Sequence, residues 1–219
     1  MNYEEMNNNV VELTGTIKSQ PTFSHEVFGE GFYDTIMSVK RLSSQCDEIP
    51  ITISERLLAD REIKEGDEIT VIGQFRSYNK MVDDRSRLML TVFVRDIIEV
   101  NSDVNPNQIE ITGYVCKPPI YRTTPFNREI CDVLLAVNRA YNKSDYIPCI
   151  TWGRNARFMR NIVVGTKLQI IGRVQSRIYQ KLDDEGIYHD KVAYEVSVSK
   201  IIVLGNENAT GCSDNVINI

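Results

Sequence analysis

The chain contains an internal repeat, and this repeat restricts its fold more than any other feature. The segment Val11–Ile17 (VELTGTI) matches Ile109–Val115 (IEITGYV), so that Gly15 aligns with Gly113, 98 residues later. The same spacing of 98 residues pairs Pro21 with Pro119, Asp34 with Asp132 and Arg41 with Arg139. The second copy then has one extra residue, so that Gly66 pairs with Gly165 and Gly73 with Gly172 at a spacing of 99. Matches at such a constant spacing predict two copies of one domain.

Each copy has the pattern of five strands and one short helix. Strands are predicted near 10–18, 31–41, 47–54, 67–77 and 87–98, and again near 109–116, 129–140, 146–153, 166–178 and 190–203. Helices are predicted over 54–63, with Ser54 as N-cap, and over about 154–163. Five strands with a helix between the third and fourth is the order of an OB-fold, a small Greek-key barrel.

The prediction is therefore an all-β protein with two tandem OB-folds. The expected domains are 1–103 and 104–205, followed by a short flexible tail at 206–219, with linker composition around 101–107. Gly66 and Gly165 are expected to form turns before the fourth strand, whereas Gly73 and Gly172 inside it predict the sharp coiling of a small barrel. Projecting hairpins are expected at 79–86 and 180–189.

Charge is distributed unevenly between the two copies. Residues 1–105 carry 11 Lys or Arg and 19 Asp or Glu, a net charge of −8, and the remainder carries 14 and 11, a net charge of +3. A polyanion would therefore contact mainly the second copy, and the acidic, degenerate first copy is expected to serve mainly assembly. The alternative is that this difference has no function, because net charge constrains function loosely.

Aromatic and cationic residues cluster in the second copy between Glu129 and Trp152. Two apolar segments of strand length flank the turn residues 142–145, and three large rings lie near three cations: Tyr141, Tyr146 and Trp152, with Arg139, Lys143 and Arg154. Rings beside cations form a surface on which nucleic-acid bases stack while phosphates are neutralised. Packing in a β-core is the alternative, and this stretch alone leaves both open.

Five segments of the second copy, in this order, resemble the single-stranded DNA-binding (SSB) protein family of bacteria. They are GYVCKPP from Gly113, RTTP from Arg122, LLAVNR from Leu134, ITWGR from Ile150 and GRVQSRIY from Gly172. The resemblance covers about 107–204 and extends more faintly over 10–100. It implies stacking residues at Tyr141, Tyr146, Trp152 and Tyr179, and backbone contacts from Lys117, Arg122, Arg139, Arg154, Arg173 and Arg177.

The sequence departs from that family in two places. Opposite the four stacking residues the first copy has Ser43, Glu48, Ser54 and Lys80, so only an auxiliary surface is expected there, from Phe28, Arg76, Tyr78 and Lys80. The family normally ends in a long linker with an acidic tip that docks replication and repair enzymes. Here the expected tail is short, with few acids, so that the docking tip is expected to be absent.

The resemblance implies a sequence-independent single-stranded DNA-binding protein that protects DNA during replication, recombination or repair. Four OB domains per assembly are common in the family, so two per chain imply a homodimer. One alternative is a non-catalytic scaffold, made of OB domains, in a replication or mobile-element complex. The other is an RNA-binding OB module.

Catalysis is not predicted. The chain has two histidines, His25 and His189, both expected in loops, and no spacing typical of a triad, a zinc site or a phosphate-binding glycine loop. The acidic pairs at 83–84 and 183–184 are expected to be solvated at hairpin tips, so no metal or cofactor is predicted.

The cellular setting is expected to be the cytoplasm, in association with the nucleoid. Five cysteines without a CxxC pair fit a reducing compartment better than a disulfide framework. The N-terminus lacks the pattern of a secretory signal, and no apolar run approaches the roughly 20 residues that span a bilayer.

Overall fold

A computed structural model describes residues 7–82, 84–100, 105–182, 186–206 and 217–218. The first copy consists of β1 (Asn9–Ile17), β2 (Thr22–Val27), β3 (Glu30–Lys40), β4 (Cys46–Ser54), α1 (Glu55–Ala59), β5 (Glu68–Val82) and β6 (Arg85–Ile98). The second consists of β7 (Asn107–Val115), β8 (Ile120–Thr123), β9 (Glu129–Arg139), β10 (Lys143–Trp152), α2 (Gly153–Met159), β11 (Thr166–Leu182) and β12 (Tyr188–Asn206). A two-residue strand, β13 (Ile217–Asn218), pairs with β12.

Each copy closes into a barrel with the strand pairing of an OB-fold. In the first barrel β1 pairs with β3 and β5, β3 with β4, β5 with β6, and β4 runs parallel to β6. The second barrel repeats these pairings with β7, β9, β10, β11 and β12. Alternate residues of β1 and β7 point into a core of aliphatic side chains. The prediction of two tandem OB-folds is therefore confirmed.

The glycines inside β5 and β11, which are the predicted fourth strands of the two copies, form β-bulges, as the sequence predicts. The register shifts between Ile72 and Gly73 in β5 and between Ile171 and Gly172 in β11. A Cβ atom at Gly172 would lie 2.3 Å from the carbonyl oxygen of Ser197, and one at Gly73 would lie 2.4 Å from that of Phe93. Only glycine lets these strands approach closely enough to coil into a small barrel.

The two barrels share one sheet. β1 pairs antiparallel with β7, from Asn9 opposite Ile111 to Leu13 opposite Asn107. At the ends of this pairing, the backbone N–H of Thr14 donates to Pro106 and that of Thr112 donates to Asn8, at 2.8 and 2.7 Å. The barrels are consequently joined by a continuous hydrogen-bonded ladder.

Several local predictions need correction. Strands β2 and β8 were not predicted, because β2 is exposed at every residue and β8 has four residues, so neither has a clear alternation. The helices are shorter than predicted, and Ser54 occupies the N-cap of α1 without a side-chain hydrogen bond. His25 and His189 lie in strands β2 and β12 rather than in loops. The strands of both hairpins extend into the predicted loops, to Val82 and Leu182.

Other predictions lie outside the described residues: the linker at 101–104, the hairpin acids at 83 and 183–185, and most of the tail. Among the described helices, none has the length and apolar composition needed to cross a membrane.

Candidate nucleic-acid interface

Four of the predicted site residues line one groove on the second barrel. This second-barrel groove has a volume of about 570 Å³ and contains Lys117 after β7, Arg122 of β8, and Arg177 and Tyr179 of β11. Alternation along β11 places Arg177 and Tyr179 on the same outward face. Leu88, Met89 and Leu90 of β6 also line this groove, so the first barrel contributes one wall.

Two cations of the second-barrel groove have acidic partners. The Nε of Arg122 donates to Asp132 at 2.8 Å, and that of Arg177 donates to the buried carboxylate of Glu195 at 3.2 Å. The hydrogen bond to Glu195 raises the pKa of Arg177, so this guanidinium stays charged. The guanidinium of Arg177 also lies 5.8 Å from the centre of the Tyr179 ring. These ion pairs fix the direction of both arginines and reduce the positive charge of the groove.

Trp152 lies at the end of β10, beside a cavity between the barrels. Its side chain is 38% exposed, and its Nε1 donates to the hydroxyl of Ser197 at 3.3 Å. Ser197 and Arg173 line this cavity, which has a volume of about 280 Å³. Arg173 donates to Gln175 at 3.0 Å through Nη2, whereas its buried Nε has no acceptor in the described structure. Arg154, on α2, is exposed and lines none of these cavities.

Tyr141 and Arg139 do not join the second-barrel groove. They belong to the β9–β10 turn, which extends over the first barrel and lines a groove there of about 650 Å³, the first-barrel groove. Tyr141 is 83% exposed and has a positive φ of 63°, which places it at the tip of the turn. Tyr141 and Arg139 therefore line a different groove from Arg177 and Tyr179.

Tyr146 lies at the contact between the barrels. Its backbone N–H donates to the hydroxyl of Ser77 at 2.7 Å, and about half of its side chain is exposed. It lines none of the three cavities described here. The ring is accessible, and the backbone of this residue joins the two copies, a contact that no sequence pattern indicates.

The first-barrel groove collects three of the four predicted auxiliary residues: Arg76, Tyr78 and Lys80, all of β5. The guanidinium of Arg76 lies 3.8 Å from the centre of the Phe93 ring. Burial, together with the nearby charge of Arg139, lowers the pKa of Arg76 to about 10, so it remains protonated at neutral pH. Phe28 is fully exposed at the β2–β3 turn and does not line the groove.

Ring and cation have exchanged places between the two barrels. On the outward face of β5, Tyr78 precedes Lys80; at the matching positions of β11, Arg177 precedes Tyr179. Position-by-position matching therefore finds Lys80 opposite Tyr179 and suggests that the first copy has lost its ring. The ring of Tyr78 is two residues away on the same face, about half exposed.

Two buried aspartates that the sequence analysis did not select connect the barrels. Asp47 of β4 accepts a bidentate pair of hydrogen bonds from Arg41, at 2.6 and 2.7 Å, and a third from the N–H of Ser176 at 2.8 Å. Asp145 of β10 accepts from the N–H of Ser77 at 2.8 Å. The two aspartates are 98 residues apart in the sequence, which is the spacing of the repeat. This equivalence is the sequence signal that could have identified them.

The same arrangement determines where Arg139 points. Its Nη1 lies 3.5 Å from the Asp145 carboxylate, as Arg41 lies beside Asp47 in the first copy. Burial raises the pKa of Asp145, while the Ser77 N–H and the Arg139 and Arg76 charges act in the opposite direction. Arg139 therefore has a structural contact in addition to its place in the first-barrel groove.

Metal binding finds no support among the residues that can be described. In that part of the chain no three His, Cys, Asp or Glu side chains come together as a metal ion would require.

The chain resembles known single-stranded DNA-binding proteins. A model of the "Single-strand binding protein family" matches residues 106–204. A single-stranded DNA-binding protein of Clostridium tetani is 32% identical over 113 residues, which cover 48% of this chain and 76% of that protein. One from Enterococcus faecalis is 30% identical over 96 residues, covering 41% of this chain and 51% of that protein. The match thus spans about half the length of several relatives.

A solved structure extends the similarity to both barrels. The wild-type single-stranded DNA-binding protein from Thermus aquaticus superposes with a TM-score of 0.67 over 94% of this chain and 96% of its own. At 18% identity this match concerns the fold. The family model and the coverage of the clostridial relative carry the assignment: the chain belongs to the single-strand binding protein family.

Proposed function

We propose that the protein binds single-stranded DNA without sequence preference and protects it during replication, recombination or repair. The observation that carries this proposal is the second-barrel groove, which Lys117, Arg122 and Arg177 line together with the Tyr179 ring within the segment matched by the family model. Cations that follow a backbone next to an exposed ring suit unpaired strands, since every base has a face that can stack.

Trp152 supports a path beyond the groove. Its ring is partly exposed and donates to Ser197, which lines the cavity between the barrels together with Arg173. A phosphate in that cavity would accept from the guanidinium of Arg173, because phosphate oxygens accept strongly from guanidinium groups. The strand would then contact Tyr179 and Trp152 on the same barrel.

The proposed working unit is a homodimer in the cytoplasm, associated with the nucleoid. Two chains related by a two-fold axis would present four OB-folds, with 1–103 and 104–205 as the domains of each chain. Mass measurement in solution, with and without a long oligo-dT, tests the dimer. A monomer under both conditions would contradict it.

Titration of the single tryptophan with oligo-dT tests binding. We expect quenching by oligo-dT, weak or no quenching by a duplex, and an affinity that falls steeply with salt. The variant Lys117→Ala should reduce the slope of log K against log salt by about one unit, whereas Arg56→Ala, an exposed cation on α1, should leave it unchanged.

Two results would contradict the proposal. One is the absence of any salt-dependent complex with oligo-dT. The other is a preference for a matched oligo-U strand over oligo-dT in direct competition, which would favour an RNA-binding module.

A further inference from the structure

A buried carboxylate lies inside the second-barrel groove, beside the residues proposed to bind DNA. Glu195 of β12 is 5% exposed and lines the groove together with Arg177 and Tyr179 of β11. In the register of the two strands Glu195 stands opposite Gln175, so Arg177 is its diagonal neighbour. Diagonal neighbours in an antiparallel pair are within reach of long side chains. An acid here needs a reason, because a site that binds a polyanion gains affinity from positive charge.

Glu195 binds one edge of the Arg177 guanidinium. Oε1 of Glu195 accepts from the Nε of Arg177 at 3.2 Å, and Oε2 accepts from its Nη2 at 3.3 Å. The side-chain amide of Gln175 donates to the same Oε1 at 2.8 Å, which holds the carboxylate in this orientation. A guanidinium makes two-point contacts with phosphate along such an edge, and in Arg177 that edge is occupied by an anion.

The groove as a whole has little net charge. Three cations and two acids line it. Arg122 donates to Asp132 at 2.8 Å, which makes a second pair of the same kind. Lys117 forms no ion pair with any residue that the structure describes. Neutralisation of phosphates at this groove would therefore come mainly from one lysine.

The ion pair also places the guanidinium next to an exposed ring. The central carbon of Arg177 lies 5.8 Å from the centre of the Tyr179 ring, and Tyr179 is 39% exposed. A guanidinium whose charge is balanced still has a planar face, on which a base can stack as it does on an aromatic ring. Such a surface requires a guanidinium in a fixed position, and Glu195 is the group that fixes it.

We propose that Glu195 is a positioning residue that holds Arg177 beside Tyr179 and balances its charge, so that Arg177 contacts bases rather than phosphates. This inference rests on the proposed function, and it gives Arg177 a different role from the backbone contact expected from the sequence. The groove then binds a strand with a weaker dependence on salt than its three cations suggest. A cation already paired with a carboxylate displaces few counterions from the phosphates.

The test measures how the affinity for a fluorescently labelled oligo-dT depends on salt in full-length variants, by anisotropy. Glu195→Gln removes the charge and keeps the size of the side chain, and Arg177→Gln/Glu195→Gln removes both charges of the pair. Glu129→Gln is the control, because Glu129 belongs to the same barrel, forms an ion pair with Arg157 and lines none of the three cavities. It changes the net charge as Glu195→Gln does. Urea unfolding verifies that each variant is folded.

The expected slopes of log K against log salt differ between the variants. In Glu195→Gln the amide nitrogen cannot accept from Arg177, so the released guanidinium should bind a phosphate and steepen the slope by about 0.7. Its affinity relative to the parent should then fall about 2.5-fold between roughly 50 and 200 mM salt. Arg177→Gln/Glu195→Gln should keep the parent slope and bind about tenfold more weakly, because the stacking surface loses its guanidinium. Glu129→Gln should match the parent.

Two outcomes would overturn the inference. One is a folded Glu195→Gln variant whose slope equals that of the parent. The other is a double variant whose slope is shallower by about 0.7, which would mean that Arg177 neutralises a phosphate despite its partner. The double variant decides the question even where Glu195→Gln does not fold. Failure of the parent to bind oligo-dT would instead remove the proposed function on which the inference rests.

Discussion

Removal of the Asp47 carboxylate tests how the two barrels are held together. Asp47 is completely buried and accepts four hydrogen bonds, two from Arg41 and two from Ser176 in the other barrel, through the N–H and the hydroxyl of Ser176. In Asp47→Ala the Ser176 N–H loses its acceptor, and the Arg41 guanidinium loses its carboxylate partner and keeps only the neutral acceptors of Gln45 and the Ser176 carbonyl. The Ser176 hydroxyl, which accepts from the N–H of Glu48 at 3.1 Å, marks the same contact.

The magnitude follows from burial. Breaking a buried ion pair from one side costs about 3–5 kcal/mol, because an uncompensated charge stays behind. The Arg41 side chain is 23% exposed, so water can reach part of the guanidinium and the lower end applies, about 3 kcal/mol. For a chain of this size that loss corresponds to a fall in melting temperature of roughly 6–12 °C.

Urea unfolding gives the measurement, with Glu65→Ala as the control. Glu65 is an exposed carboxylate in the turn before β5, and its loss should change the free energy of unfolding by less than about 0.5 kcal/mol. Arg41→Ala/Asp47→Ala should lose less than the sum of the two single variants, because neither partner is left unpaired. A loss below about 1 kcal/mol for Asp47→Ala, or strict additivity, would refute the reasoning.

Three further predictions concern titration, packing and thiol reactivity. Because the pKa of Asp145 is raised in the folded protein, its contribution to stability is present below the ordinary pKa of an aspartate and is lost as the pH rises through the raised pKa. Asp145→Asn should therefore gain stability relative to the parent as the pH increases from about 4 to about 7. Urea unfolding at each pH measures this gain. Gly172→Ala should lose about 1–3 kcal/mol in the same assay, because its Cβ would meet a backbone carbonyl. In a Cys212→Ser chain, the exposed Cys46 should react with a thiol reagent at pH 8 within minutes, whereas Cys131, whose pKa burial raises to about 11, should react only after unfolding. The first prediction would be contradicted by a stability difference between Asp145→Asn and the parent that does not change with pH. The second would be contradicted by a Gly172→Ala stability within about 0.5 kcal/mol of the parent, and the third by rapid labelling of Cys131 in the native protein.

The sequence predicts the barrels well because their determinants are local. Alternation of apolar residues identifies β1 and β7, and the bulge glycines Gly73 and Gly172 recur in the repeat because the close approach to the neighbouring strand admits no side chain. The edge strand β2 has no buried face, so no such pattern exists for it.

The site is predicted less well because it depends on how the barrels are arranged. Tyr141 was grouped with Tyr179 by its position in one copy, yet the turn that carries it faces the other copy. Arg177 was predicted as a contact to the DNA backbone, and its partner Glu195 lies on the adjacent strand, a pairing that only the register reveals. Stacking and phosphate contacts of the individual residues remain predictions.

The ladder between β1 and β7 has a consequence for dividing the protein. A half produced alone would leave one of these strands with an open edge of unpaired N–H and C=O groups, a site for aggregation or for pairing with another copy. Two halves co-expressed as separate polypeptides could instead recombine along that edge, since the hydrogen bonds and the buried carboxylates do not involve the peptide connection. Fragments of this protein should therefore be studied as complementing pairs.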